Sequence, residues 1–188
     1  MRIVAGRHKG RVLQAPPGNA TRPTADRVRE ALFNILAHGE APPLRGARLL
    51  DAFAGSGALG FEALSRGAAH VTFMENDPAA YAVIHGNARK MGAAEAEAAI
   101  LRADATRPPP ARQPCDMVLM DPPYKSGLGQ AALTALAAQG WIAPQALVVV
   151  EVAAAEAFAS PLPGFVIADE RRYGAARLVF LRPDFACS

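Results

Sequence analysis

The chain has 188 residues, 51% of them hydrophobic, which is length for one domain and apolar surface for a real core. No apolar run approaches the ~20 residues of a membrane span. The opening residues lack the apolar stretch of a signal peptide, and Cys115 and Cys187 show neither metal nor disulfide spacing, so a reduced, cytoplasmic setting is expected. The net charge of +3 is uneven. Residues 1–30 carry seven basic side chains against two acidic ones, which leaves +5 there and −2 over the remainder. Such a basic arm suits a polyanion, although a solvated Arg-rich face accounts for charge alone equally well.

In chain order, Arg2–Ala5 and Arg11–Gln14 read as two short strands of a hairpin around the basic loop Gly6-Arg7-His8-Lys9-Gly10. A helix follows over about 25–38, with Thr24 as its cap and Val28, Leu32, Ile35 and Leu36 on one face. Gly39 to Gly46 reads as a linker, dividing an extension over 1–45 from a core domain over 46–183, with a short tail after it. Core strands are expected at Arg48–Phe53, His70–Met74, Ala99–Arg102, Met117–Met120 and Ala146–Val152. Helices are expected at about 58–66, from Asp77 to Gly92, and over 128–139. Two further strands, Phe165–Ala168 and Arg177–Leu181, close the chain around Asp169–Gly174. Alternating helices and uniformly apolar strands predict an α/β fold with a parallel sheet covered on both faces. Ligands in such sheets gather at the C-terminal strand ends. Gly55–Gly57, Glu75, Asp104 and Asp121 all fall at such ends.

Gly55-Ser56-Gly57-Ala58-Leu59-Gly60 matches G-x-G-x-x-G, and Glu75 lies where a ribose-binding carboxylate is expected. A dinucleotide site is the literal reading. Asp51, just before the loop, opposes a pyrophosphate but suits a cationic amino group, which favours S-adenosylmethionine as the ligand. Glu75 can take ribose hydroxyls, Asp104 can accept an adenine amine, and Phe53 either lines the site or packs in the core. Asp121-Pro122-Pro123-Tyr124 is the sharpest feature. It sets a carboxylate, a stiff turn with a free carbonyl at Pro122, and an aromatic ring directly after a buried strand. Asp121 and the Pro122 carbonyl can accept both hydrogens of an exocyclic amine. That turns the amine lone pair out of the ring plane, while Tyr124 stacks on the base. His8, His38, His70 and His85 show no metal spacing; His8 sits where it can meet phosphate, and Trp141 reads as a packing residue.

The segments Asp51–Gly60, Glu62-Ala-Leu-Ser-Arg66 and Asp121–Tyr124 resemble S-adenosylmethionine-dependent methyltransferases of exocyclic amines. The opening Arg2–Arg11 and Arg22-Pro-Thr-Ala-Asp-Arg-Val-Arg-Glu-Ala-Leu-Phe-Asn34 narrow the likeness to the bacterial enzymes that methylate guanine N2 in 16S ribosomal RNA. The Asp-Pro-Pro-Tyr pattern is shared with adenine-N6 enzymes acting on DNA or RNA, which stand as the alternative. The resemblance implies a Rossmann-like sheet of seven strands, mainly parallel with the last antiparallel, preceded by a small hairpin and helix. It implies a donor site at Asp51, Phe53, Gly55, Ser56, Gly57, Glu75, Asn76 and Asp104, and a base site at Asp121, Pro122 and Tyr124. Arg2, Arg7, His8, Lys9, Arg11, Arg22, Arg27 and Arg29 would then engage RNA, within 16S RNA or an assembling small subunit, as a monomer without metal.

Overall fold

The computed structural model describes residues 1–17, 23–38, 43–158 and 164–184. Seven strands alternate with helices: α1 (Pro23–His38), β1 (Arg48–Ala52), α2 (Ala58–Ser65), β2 (His70–Glu75), α3 (Pro78–Met91), β3 (Ala98–Arg102), β4 (Cys115–Met120), α4 (Leu128–Ala138), β5 (Ile142–Ala153), β6 (Phe165–Tyr173) and β7 (Ala176–Pro183). They form one sheet in the order β3-β2-β1-β4-β5-β7-β6. The pairs from β3 to β5 are parallel, and β7 runs antiparallel to both neighbours. This is a Rossmann-like α/β sheet, as expected.

The alternation along the central strands sorts two cores. Leu49, Val71, Phe73, Leu119 and Val149 meet α2, α3, α1 and the N-terminal arm on one face. Leu50, Met74, Val118, Met120, Val148 and Val150 meet α4 on the other, where Trp141 is also buried and donates its indole N–H to the Pro109 carbonyl at 2.8 Å. Asp77 caps α3 by accepting the Ala80 N–H.

Three expectations are corrected. α1 starts at Pro23, a favourable first helical residue, so Thr24 lies inside the first turn rather than capping it. The N-terminal hairpin forms, but as a single bridge between Arg2 and Val12 rather than two strands. The Ile3, Gly10 and Leu13 N–H groups also close the hairpin on the Arg11, Ile3 and Met1 carbonyls, and other backbone groups of the arm are satisfied on α2. Val4 and Ala5 donate to the Glu62 carboxylate at 2.8 and 3.1 Å, and the Arg7 N–H reaches the Ser65 carbonyl at 2.8 Å. Finally, β6 and β7 run through the polar stretch expected to separate them and turn at Gly174-Ala175. β6 is an edge strand whose charged side chains face water, three of them paired, Asp169 with Arg171 and Glu170 with Arg177 of β7.

Gly6 explains how the arm lies so close to α2. Its φ is +82°, and a Cβ there would sit 1.9 Å from the Ser65 carbonyl oxygen. The arm is therefore bolted to the second turn of α2, and Ile3 and Leu13 enter the same core as the sheet.

Candidate active site

The strand order puts β2, β1, β4 and β5 side by side, so the segments that follow them share one edge of the sheet. After β1 the chain turns sharply through Phe53, whose φ is +62°. Lys125, with φ +57°, closes the turn after β4. These are the non-glycine residues in the left-handed region among the described residues, and both flank this edge. Each such conformation costs about 1–3 kcal/mol and is held in place by its surroundings.

The glycine loop is fixed from three sides. Asp51, 1% exposed, accepts the Gly60 N–H at 2.8 Å. Glu75 accepts the Gly55 N–H on Oε2 at 2.7 Å and the Asp77 N–H on Oε1 at 2.8 Å. Asn87, fully buried on α3, donates to the Ser56 carbonyl at 2.9 Å and to the Gln14 carbonyl at 3.0 Å, and its Oδ1 accepts the Gln14 N–H. The loop glycines serve packing. A Cβ at Gly57, φ +78°, would lie 2.6 Å from the Phe61 ring, and one at Gly60 would lie 2.3 Å from Phe73. A Cβ at Gly55 would meet only the Phe53 carbonyl, at 4.0 Å. The outer face of the loop is thus open towards the strand ends.

Each expected donor-site residue takes a definite place. Asp51 braces α2 rather than standing free in the cleft. Burial first, then the charges of Asp121 and Glu75, push its carboxyl well above the usual range, against the opposing Gly60 hydrogen bond. Phe53 is half-buried against the α4-side core. Ser56 is buried, with its hydroxyl 3.4 Å from the Met1 sulfur. Both Glu75 oxygens hold backbone N–H groups, and each keeps a second lone pair for a ligand hydroxyl. Asn76 is exposed beside it. Asp104 closes its own turn, accepting the Thr106 N–H and hydroxyl on Oδ1, both at 2.8 Å.

On the other side of β1, the Asp121–Tyr124 turn is joined by a residue that the sequence reading passed over. Tyr124 donates its hydroxyl to Glu151 Oε1 at 2.6 Å. Pro122, Tyr124, Gly129, Glu151 and Phe158 bound a concave pocket there. Solvent reaches Asp121 from its open side. The surrounding protein first, and the Glu151 charge second, push its carboxyl up to about 7, an effect that water on the open side partly screens. Burial likewise raises Glu151, opposed by the Tyr124 hydrogen bond. Two carboxyls and a ring thus converge at the ends of β4 and β5.

The basic residues of the arm divide sharply. Arg29 is 5% exposed, donates to the Arg2 carbonyl at 2.9 Å and pairs with Asp26. It is an internal clamp, although the resemblance implies that it engages RNA. Arg11 donates to the Lys90 and Met91 carbonyls at the end of α3, 2.9 Å each. Arg7 pairs with Glu97 at 2.9 Å at the surface. Burial and the adjacent Arg11 and Arg7 lower the pKa of His8, against the opposing charge of Glu97. Arg2, Lys9 and Arg27 are exposed, while Arg22 lies outside the described residues. Among the described residues no group of His, Cys, Asp or Glu is arranged to hold a metal, and no helix is long and apolar enough to cross a membrane. Cys115 is buried, with its thiol pushed up to about 12.

Comparison with known proteins supplies an independent line. A family described as conserved hypothetical protein 95 matches residues 1–182. The ribosomal RNA small subunit methyltransferase D of Escherichia coli is 41% identical over 151 residues, covering 80% of this chain and 74% of that protein. Its Haemophilus influenzae counterpart is 38% identical over 154 residues, covering 80% and 78%. Among solved structures, a putative methyltransferase (yhhF) of Escherichia coli superposes with a TM-score of 0.80 at 34% identity, covering 98% of both chains.

Proposed function

We propose, on the premise that this chain belongs to the conserved hypothetical protein 95 family and is a methyltransferase of ribosomal RNA, that it methylates the exocyclic N2 of a guanine in 16S RNA with S-adenosylmethionine as donor. The observation that carries the reading is the adjacency of β2, β1 and β4, which sets the glycine loop and the Asp121–Tyr124 turn beside each other at one edge. The donor set fits that ligand. Gly55 leaves open space, Glu75 has lone pairs for ribose hydroxyls, and Asn76 and Asp104 stand near the neighbouring strand ends. When bound, S-adenosylmethionine would supply a methyl group carried on a sulfonium.

The protein's own residues would do the rest. Asp121 and the Pro122 carbonyl accept the two amine hydrogens, which frees the nitrogen lone pair from the ring. Tyr124, steadied by Glu151, holds the base by its face. Alignment of this kind supplies most of the rate. Asp121 also stands where it can take the proton that the amine gives up. The target base must be unpaired or flipped to reach the turn. Arg2, Lys9, Arg27 and Arg7 are the cations placed to meet phosphate. We take the setting to be cytoplasmic and the enzyme to act as a monomer.

The test is transfer of labelled methyl to bare 16S RNA, to assembling small subunits and to duplex DNA, followed by nucleoside analysis. N2-methylguanosine from RNA is expected. Label found only as N6-methyladenosine would refute the substrate assignment.

A further inference from the structure

An exocyclic amine does not by itself separate guanine from adenine, since both bases offer two amine hydrogens. The ring position beside the amine does separate them. Guanine N1 carries a hydrogen and donates; adenine N1 is a lone pair and accepts. A site that reads the Watson–Crick edge of an extruded base must therefore answer that position.

Glu151 stands where such a reader belongs. Val150 pairs with Met120, so Glu151 and Asp121 take the next positions on adjacent parallel strands. Val150 and Val152 both point into the core beneath α4. Glu151 therefore leaves β5 on the opposite face, the one carrying Leu119 and its partner Asp51. Its Oε1 is held by the Tyr124 hydroxyl at 2.6 Å, while among the described residues Oε2 accepts no hydrogen bond. It is half-buried and lines the pocket beside Pro122 and Tyr124. Water reaches Oε2, so a carboxylate fixed by one oxygen at the level of Asp121 has its other oxygen available to a ligand N–H.

We propose that Glu151 is the specificity-determining residue of this enzyme, accepting the N1–H of the target guanine while Asp121 and the Pro122 carbonyl take the N2 hydrogens. The inference rests on the guanine-N2 reading above. Adenine is rejected because its N1 lone pair would face a carboxylate with no hydrogen between them.

The experiment uses the RNA and target position identified by the transfer assay, with either guanosine or 2-aminopurine riboside at that position. 2-Aminopurine keeps the C2 amine but has a bare N1. Wild type, Glu151→Gln and Tyr124→Phe are compared at pH 8.5 by kcat/KM. Wild-type transfer to guanosine tests the N2 reading; the ratio between the two bases tests Glu151. Wild type should prefer guanosine by about 10- to 100-fold, the value of a hydrogen bond to a charged group. Glu151→Gln, whose amide can offer an N–H to N1, should lose on guanosine and hold or gain on 2-aminopurine, cutting the ratio about tenfold or more. Tyr124→Phe should lower both rates and leave the ratio within about threefold. Equal losses on the two bases in Glu151→Gln would overturn the proposal and leave Glu151 a support for Tyr124. Equal rates on the two bases by wild type would overturn it whether or not the variant folds.

Discussion

Glu62 is fully buried on α2, and its carboxylate accepts three donors: Val4 N–H on Oε2, and Ala5 N–H and Arg66 Nε on Oε1. Replacing it with alanine strands all three. The Arg66 side chain is only 14% exposed and lies over the Phe33 ring at 5.1 Å, so its charge would lose its carboxylate in a place water reaches poorly. Breaking a buried ion pair by removing one partner costs about 3–5 kcal/mol, and each backbone N–H left unsatisfied adds to that. Against a typical total of about 5–15 kcal/mol this is severe. In a chain of this size it lowers the melting temperature by roughly 6–20 °C. The loss should begin at the arm. Amide exchange in Glu62→Ala should rise first at Val4, Ala5 and Arg7, with the β1 and β4 amides protected until global unfolding. A melting temperature within 1 °C of wild type, or arm amides as slow as before, would show that the arm is not held by this carboxylate.

Gly6→Ala should likewise lift the arm, because a Cβ there meets the Ser65 carbonyl at 1.9 Å; unchanged melting would refute the close approach. The carboxyl of Asp121 is held above the ~3.9 of an unfolded aspartate, by less than a fully buried group would be because water screens it, so this group withdraws a little stability as pH rises from about 4 towards neutrality. Asp121→Asn should accordingly melt higher than wild type at pH 8 and lose that advantage at pH 4, while abolishing transfer and sparing donor binding by calorimetry. Wild-type kcat/KM should rise from acid pH towards neutrality as the Asp121 carboxylate forms, with a midpoint above that of a free aspartate, and a flat profile would contradict its role. Lys9→Ala and Arg27→Ala should each flatten the salt dependence of RNA binding by about one charge. Arg29→Ala should lower the melting temperature and leave that slope untouched, since Arg29 is internal.

The fold was legible because the strands are short apolar runs ended by glycine loops or carboxylates, a pattern set by local chemistry. The same rule exposed Asp121, which breaks an apolar run outright. It hid Glu151, which sits between Val150 and Val152 and so reads as strand interior; only its pairing level beside Asp121 shows that this position is the rim of the cleft. The clamping roles of Asn87 and Glu62 were illegible for a different reason. Their partners lie 73 and 57–58 residues away in sequence, and nothing local marks a helical Asn or Glu as a clamp. Arg29 was grouped with the RNA-engaging cations because charge is visible in sequence and burial is not. The edge strand β6 was cut short because its polar half resembles a loop until β7 supplies the ladder.

The arm that Glu62 and Asn87 hold is made long before its anchors. Arg11 waits for carbonyls 79 and 80 residues further along. At about 5–20 residues per second of synthesis, that interval is roughly 4–16 s. Until the helices and strands that follow are made, Ile3 and Leu13 lack the core they enter and Arg11 lacks its carbonyl partners. Docking must then close a loop of that length, which delays it relative to the local helices. The nascent chain therefore passes through a stage in which its basic arm is already made but the core that anchors it is not.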